Sequence, residues 1–199
     1  MPDHPKLYRS LERNLNELQQ CILKRRAYNQ LLLLRPKLVG LSFFDIVISS
    51  LHGDMFGDAF RVFDMNKESA SYFYVKKIAG NRMRAAEDRL GLNLAELEEI
   101  AAKLPGIRNR VGFHMDKRSI MNTEKVWEDA NLTGNEFIRL TEEIHELLRQ
   151  MLVDFNGRDM ELRDYNAEDI ELILGAYREK HPKKIDFEGV ALEMIGEKI

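Results

Sequence analysis

The chain has 199 residues, a formal net charge of −3, 44% apolar and 32% charged residues, a balance that excludes a disordered polymer and suits one large domain, or a domain with an appendage, with a real core. Slight net acidity rules out whole-molecule attraction to nucleic acid, so any such binding has to come from a local patch. A lone cysteine, Cys21, excludes an intramolecular disulfide and a cysteine-rich zinc site and fits a reducing cytoplasm.

The N-terminal "MPDHPKLYRSLER" turns charged before any apolar run begins, so no signal peptide is predicted. Leu11, Leu15, Leu18 and Ile22 then recur at steps of four, three and four, one stripe of a long amphipathic helix that Pro36 ends. The most apolar window, from Leu31 to Leu51, is interrupted by Arg35, Pro36, Lys37 and Asp45. It falls short of the roughly 20 uninterrupted apolar residues of a membrane span. "SFFDIVISSLHGDMFGDAFRVFD" is apolar on all sides and too long for a strand, and reads as a central, mostly buried helix. A turn near "MNKES" leads to a third helix, "ASYFYVKKIAGNRMRAAEDRL", aromatic first and basic later, with Gly91 as its stop. "NLAELEEIAAKL" is a short helix capped by Asn93 and closed by Pro105-Gly106. "NTEKVWEDANL" is a connector with one or two helical turns, and Trp127 in it is a core anchor. "TGNE" at Thr133–Glu136 fits a capping box ahead of the periodic "FIRLTEEIHELLRQML". A last helix starts at "NAED" and carries Ile170, Ile173, Leu174 and Tyr177 on one side. With no repeat and no strand pattern, the expectation is an all-α bundle, with a helical domain over residues 1–156 and a C-terminal helical extension over 157–199.

Several tempting sites fail. "DMNKES" opens like a calcium loop, but Ser69 stands where glycine is needed and Val75 where the bidentate glutamate belongs. There is no phosphate-binding glycine loop, and the five histidines are too scattered for a metal site, so neither metal nor cofactor is expected. His52 with Asp54 reads as polar packing.

"GIRNRVGFHMDKRS", Gly106 to Ser119, is different. It gathers Arg108, Asn109, Arg110, His114, Lys117 and Arg118 against the single acid Asp116. Arg108 and His114 form an Arg-x5-His pair. So do Arg139 and His145, but that second pair sits among Glu136, Glu142, Glu143 and Glu146, where a phosphate would be repelled. Only the first segment is cationic enough to hold an RNA backbone. Following a Pro-Gly break, it is also expected to lie at a helix start, where anions are favoured.

"R-N-x-x-x-x-H" on a late helix of an all-α chain resembles the HEPN superfamily of helical nucleic-acid-processing domains, and "FHMDKRS" resembles its abortive-infection branch. The resemblance covers roughly residues 5 to 155, including the apolar helix in the branch's central position. It implies a HEPN-like helical bundle and a metal-independent endoribonuclease of the toxin or phage-defence type, with a composite active site at a homodimer interface. The expected partners are single-stranded RNA, a second copy and an antitoxin protein, with no membrane. The 2′-hydroxyl of the RNA would be the nucleophile and a 2′,3′-cyclic phosphate the product. His114 would shuttle the proton. Arg108 would hold the phosphorane oxygens. Asn109 would orient either one, with Arg110, Asp116, Lys117 and Arg118 in support.

Geometry constrains this scheme. On one helix, six positions turn Arg108 and His114 through about 600°, so they point roughly 120° apart, and two copies about a twofold axis would bring them together. Arg110 and His114, at i and i+4, share a face and are the better pair if the site lies in one protomer. Asp45, an acid in the apolar helix, needs a partner if it is buried: on one reading the motif arginine of the same or the other subunit, on the other it is a structural salt bridge or an exposed edge. Lys76, Lys77, Arg82, Arg84 and Arg89 read as a solvated face that could extend an RNA track, with Glu87 and Asp88 diluting it. Family toxins paired with a nucleotidyltransferase antitoxin often carry a tyrosine just after the motif histidine, but Met115, Asp116, Lys117 and Arg118 follow His114 here, which argues against that partnership. Two rivals stand beside the enzyme, a non-catalytic helical RNA, nucleotide or protein-binding module, and a purely structural interaction protein.

Overall fold

A computed structural model describes residues 5–34, 42–108, 123–166 and 168–180. Of these, 82% are helical and none is in a strand, as a composition rich in Leu, Glu, Arg and Met and poor in Val and Thr favours. The chain is all-α. Its helices are α1 (Pro5–Leu34), α2 (Ser42–Val62), α3 (Tyr72–Leu90), α4 (Leu94–Ala101), α5 (Leu104–Ile107), α6 (Thr123–Ala130), α7 (Gly134–Asn156) and α8 (Glu168–Lys180).

They form two compact units that are discontinuous in sequence. The first comprises Met1–Ile22 and Gly53–Arg163, the second Leu23–His52 and Asp164–Ile199. The expected boundary at 156/157 therefore does not coincide with either unit's limits. Residues 157–163 go with the first unit, and 23–52 go with the C-terminal segment.

In the first unit, the α1 stripe is the floor of the core, with Leu11, Leu15, Leu18 and Ile22 all at most 1% exposed. Helix α7 packs on α3 and α4 and buries nine of its side chains, Leu140, Leu147, Leu148 and Leu152 completely. Asn14, buried inside this core, donates to the carbonyls of Ser10 (2.7 Å) and Ala70 (2.8 Å), which removes the desolvation cost of its amide. Tyr72 is also fully buried. Its hydroxyl donates to Glu98 Oε1 at 2.9 Å, and burial, with Glu98 beside it, pushes the phenol well above the ordinary tyrosine range.

The helix ends follow the capping chemistry. Asn93 accepts from the Glu96 N–H, and Gly91 and Gly157 stop α3 and α7 in the left-handed region at φ 63° and 72°. Both arms of the Thr133–Glu136 capping box are formed, at 3.2 and 2.7 Å. Lys103 Nζ donates to the Glu136 carboxylate at 2.6 Å and to the carbonyl of Asn131 at 2.6 Å, which ties the α6–α7 connection to the end of α4. Lys103 and the cap together draw the Glu136 carboxyl down to about 2. Thr133→Ala is expected to cost about 0.5–2 kcal/mol in chemical denaturation. Because the folded-state pKa is depressed, the Glu136 contribution is present above pH 4.5 and fades as pH falls towards 2. The advantage of wild type over Glu136→Gln should therefore shrink across that window, and an unchanged difference at pH 2.5 would contradict the coupling.

The second unit has a smaller core. Leu31, Leu34, Ile48 and Leu174 are buried, with Tyr28, Phe44, Val47, Leu51 and Ile170 against them. Here the expectation of a mostly buried α2 is corrected. The helix is buried at Met55, Ala59, Phe60 and Val62, whereas Phe43 and Ile46 near its start are 69% and 65% exposed. A helix end that meets only a few neighbours covers one side, so an all-round apolar sequence leaves the other side in solvent. Ile173 is similarly 59% exposed, because α8 turns Ile170 and Leu174 inward at i and i+4. The side chains of Trp127 and Tyr177 lie outside the described residues.

Candidate functional site

Arg108 is the residue of the Arg-x5-His motif that the structure places. Pro105 opens α5, where its missing N–H is one of the helix-start orphans and its fixed φ is already helical. Leu104 and Ile107, each 1% exposed, anchor this single turn in the core. Arg108 follows as the C-terminal cap at φ −51°, ψ −48°, its N–H donated to the carbonyls of Leu104 and Pro105. Two expectations are thereby corrected. The short helix α4 ends at Ala101, not at Pro105, and Pro-Gly starts a turn instead of breaking one. Arg108 sits at the end of that turn, and the rest of the segment for which a helix start is expected lies outside the described residues.

The guanidinium Nη1 donates to Asp64 Oδ1 at 3.2 Å, with the two side chains 33% and 26% exposed. Asp64 lies just beyond α2 and is itself held, because the same oxygen accepts the Asn66 N–H at 3.2 Å. Asn66 continues the turn, accepting from Glu68 N–H through its side chain and from Ser69 N–H through its carbonyl. "DMNKES" is thus a hydrogen-bonded turn that presents a carboxylate to the motif arginine. Phe60, Phe63, Leu104 and Pro105 join these polar groups around a recess of about 270 Å³ with Arg108 at its edge. A guanidinium carries five N–H donors. One carboxylate oxygen orients it and leaves donors for a second anion.

Sequence reasoning missed Asp64 as this partner. The only sequence signal for it is its place as the first residue of the calcium-loop-like "DMNKES", whereas the acid that sequence pattern favours is Asp45. Asp45 belongs to the second unit, in the first turn of α2, and is exposed. The premise of a buried acid seeking a partner fails for it. Asn109, Arg110, His114, Asp116, Lys117 and Arg118 lie outside the described residues.

The competing pair is accounted for. Arg139 donates to both oxygens of Glu96 (2.5 and 2.9 Å) and to Glu143 (3.0 Å), and these carboxylates, Glu96 foremost, raise its pKa further. His145 is 4% exposed, inside the α7 core face, and burial lowers its pKa. A cation saturated by carboxylates and a histidine sealed in the core cannot serve one phosphate. His52 is half-buried, its ring 5.3 Å from that of Tyr28, with its pKa lowered by burial.

The fold defines an all-α protein. The chain matches no family model, no curated protein and no solved structure. Among the described residues, no group of three or more His, Cys, Asp or Glu side chains is placed to hold a metal ion. No described helix is long and apolar enough to cross a membrane.

Proposed function

We propose that the chain is a metal-independent endoribonuclease with HEPN-type chemistry, of the toxin or phage-defence kind. The observation that carries this reading is the Arg108–Asp64 pair at the edge of the apolar recess. It gives the motif arginine a fixed, partly exposed position at the head of the most cationic segment of the chain. In the reaction, His114 takes the proton of the 2′-hydroxyl as that oxygen attacks phosphorus. The P–O5′ bond breaks, His114 passes the proton it has taken to the leaving O5′, and a 2′,3′-cyclic phosphate remains. Arg108 balances the charge on the non-bridging oxygens through this step. Asn109 orients the pair, and Arg110, Lys117 and Arg118 hold neighbouring phosphates. The direct test is incubation of purified protein with single-stranded RNA in excess EDTA, with cleavage to cyclic-phosphate ends as the expected result. A strict need for magnesium would refute the mechanism.

The divergence of about 120° that a single helix would impose between positions 108 and 114 makes the second copy part of the proposal. Sedimentation equilibrium at micromolar concentration should return twice the 23.2 kDa chain mass. A strict monomer would move the site to Arg110 with His114. A non-catalytic RNA-binding module is the second reading, favoured by the same ion pair, since Asp64 already neutralises Arg108. RNA that binds and is never cut would select it.

A further inference from the structure

Helix α3 is not continuous. At Ala79 the backbone leaves helical geometry (φ −120°, ψ 26°), and Gly80 follows. Glycine is a poor helix former, and breaks of this kind concentrate at it. Beside the break lies a recess of about 830 Å³ in the first unit, much the larger of the two described and within the range of ligand pockets. Its floor is apolar, with Leu7, Met83 and Leu94 at 3%, 1% and 6% exposure, and its rim carries Lys76, Lys77, Arg82 and Arg84.

The charges on this rim are not equivalent. Lys76 is held by both oxygens of Glu98, at 2.5 and 2.6 Å. Arg82 lies over the ring of Phe155, 5.3 Å from its centroid. The two acids of the recess are also engaged, Glu98 with Lys76 and Tyr72, and Glu87 as acceptor of the Leu94 N–H at 3.0 Å. Lys77 and Arg84 remain. Neither has an acidic partner among the described residues, and Arg84 has only a 3.3 Å bond to the side-chain oxygen of Asn81. Arg89 on the same helix, by contrast, is paired with Asp154. Lys77 and Arg84 stand on either side of the Ala79 break, and both line the recess.

From these observations we infer that the recess at the α3 break binds phosphate groups of a single-stranded nucleic acid, with Lys77 and Arg84 as the principal contacts and the apolar floor beneath the bases. Nothing in the recess selects a sugar, so RNA and DNA strands should bind alike. On the proposed ribonuclease reading this recess is a second contact, separate from Arg108, but the inference does not require cleavage.

The test is fluorescence anisotropy of a labelled 12-nucleotide oligouridylate titrated with the full chain at 50–200 mM salt. Lys77→Glu with Arg84→Glu should weaken binding at least tenfold. Lys77→Gln with Arg84→Gln should lower the slope of log affinity against log salt by about 1.4, two phosphate contacts on a single strand. Circular dichroism and the thermal midpoint should match wild type for both, because no ion pair is removed. An unlabelled DNA 12-mer should compete as well as RNA. Competition by adenosine monophosphate or pyrophosphate at concentrations where the strand fails would assign the recess to a small phosphate ligand and overturn the strand proposal. Unchanged affinity and slope in the folded glutamine variant would overturn it outright, as would no binding by wild type. Arg108→Ala measured in parallel separates the two readings. If it cuts like wild type while the α3 variants lose binding, the Arg108 site fails and the recess stands.

Discussion

On the proposed mechanism, Arg108→Ala is expected to lower the rate of RNA cleavage in EDTA by about a hundredfold or more, the loss typical of removing one preorganised donor from a developing oxyanion. His114→Ala should lose about as much, through the missing proton shuttle. Arg108→Lys should recover part of the rate, since it keeps the charge and gives up the bidentate fork. The control is Arg139→Ala. Its guanidinium is engaged by Glu96 and Glu143, so cleavage should stay within about twofold of wild type, as for an ordinary surface change. His145 is not a suitable control, because it is lodged in the core and its removal would unsettle the fold as well as the chemistry. Single-turnover rates on one labelled RNA, with folding checked by circular dichroism, decide the matter. Equal rates for Arg108→Ala, His114→Ala and wild type would mean that the motif does no chemistry.

The second large effect concerns stability. Leu148→Ala should cost about 2–5 kcal/mol, the lost transfer energy plus the cavity left behind. Leu148 is 0% exposed near the middle of α7, the helix that packs on both α3 and α4, so the core cannot easily close over the gap. Urea denaturation with an unchanged slope and a lower midpoint is the expected reading. A loss below about 1 kcal/mol would show that the site relaxes in a way that tight core packing does not allow.

Local chemistry was legible in the sequence wherever one segment sufficed to determine it. The α1 stripe, the Thr133 capping box, the Asn93 cap and the Gly91 stop each depend on residues a few positions apart, and the structure forms all four. What was not legible depends on distant partners. The exposure of Phe43 and Ile46 is set by how few neighbours reach the start of α2, which no periodicity encodes. The Asp64–Arg108 pair joins residues 44 positions apart, and the turn holding Asp64 was assessed only as a cation loop. Pro105-Gly106 admits both a stop and a start, and the burial of Leu104 and Ile107 selects the start. The cationic residues of α3 read from sequence as a solvated surface run. The recess they line depends on Leu7 and Leu94 from other helices, which the α3 segment alone does not announce.

The discontinuous second unit has a consequence in time. Leu31, Leu34 and Ile48 are made early, but Leu174, which completes their cluster, follows more than a hundred positions later. At ordinary elongation rates that is a wait of about 5–25 s. During it, these side chains are on a chain whose covering helix has not yet been synthesised. Nascent chains stalled between Arg163 and Glu168 should therefore recruit chaperones that bind apolar segments more strongly than chains released past Lys180. Helix α8 sets the moment at which that exposure ends.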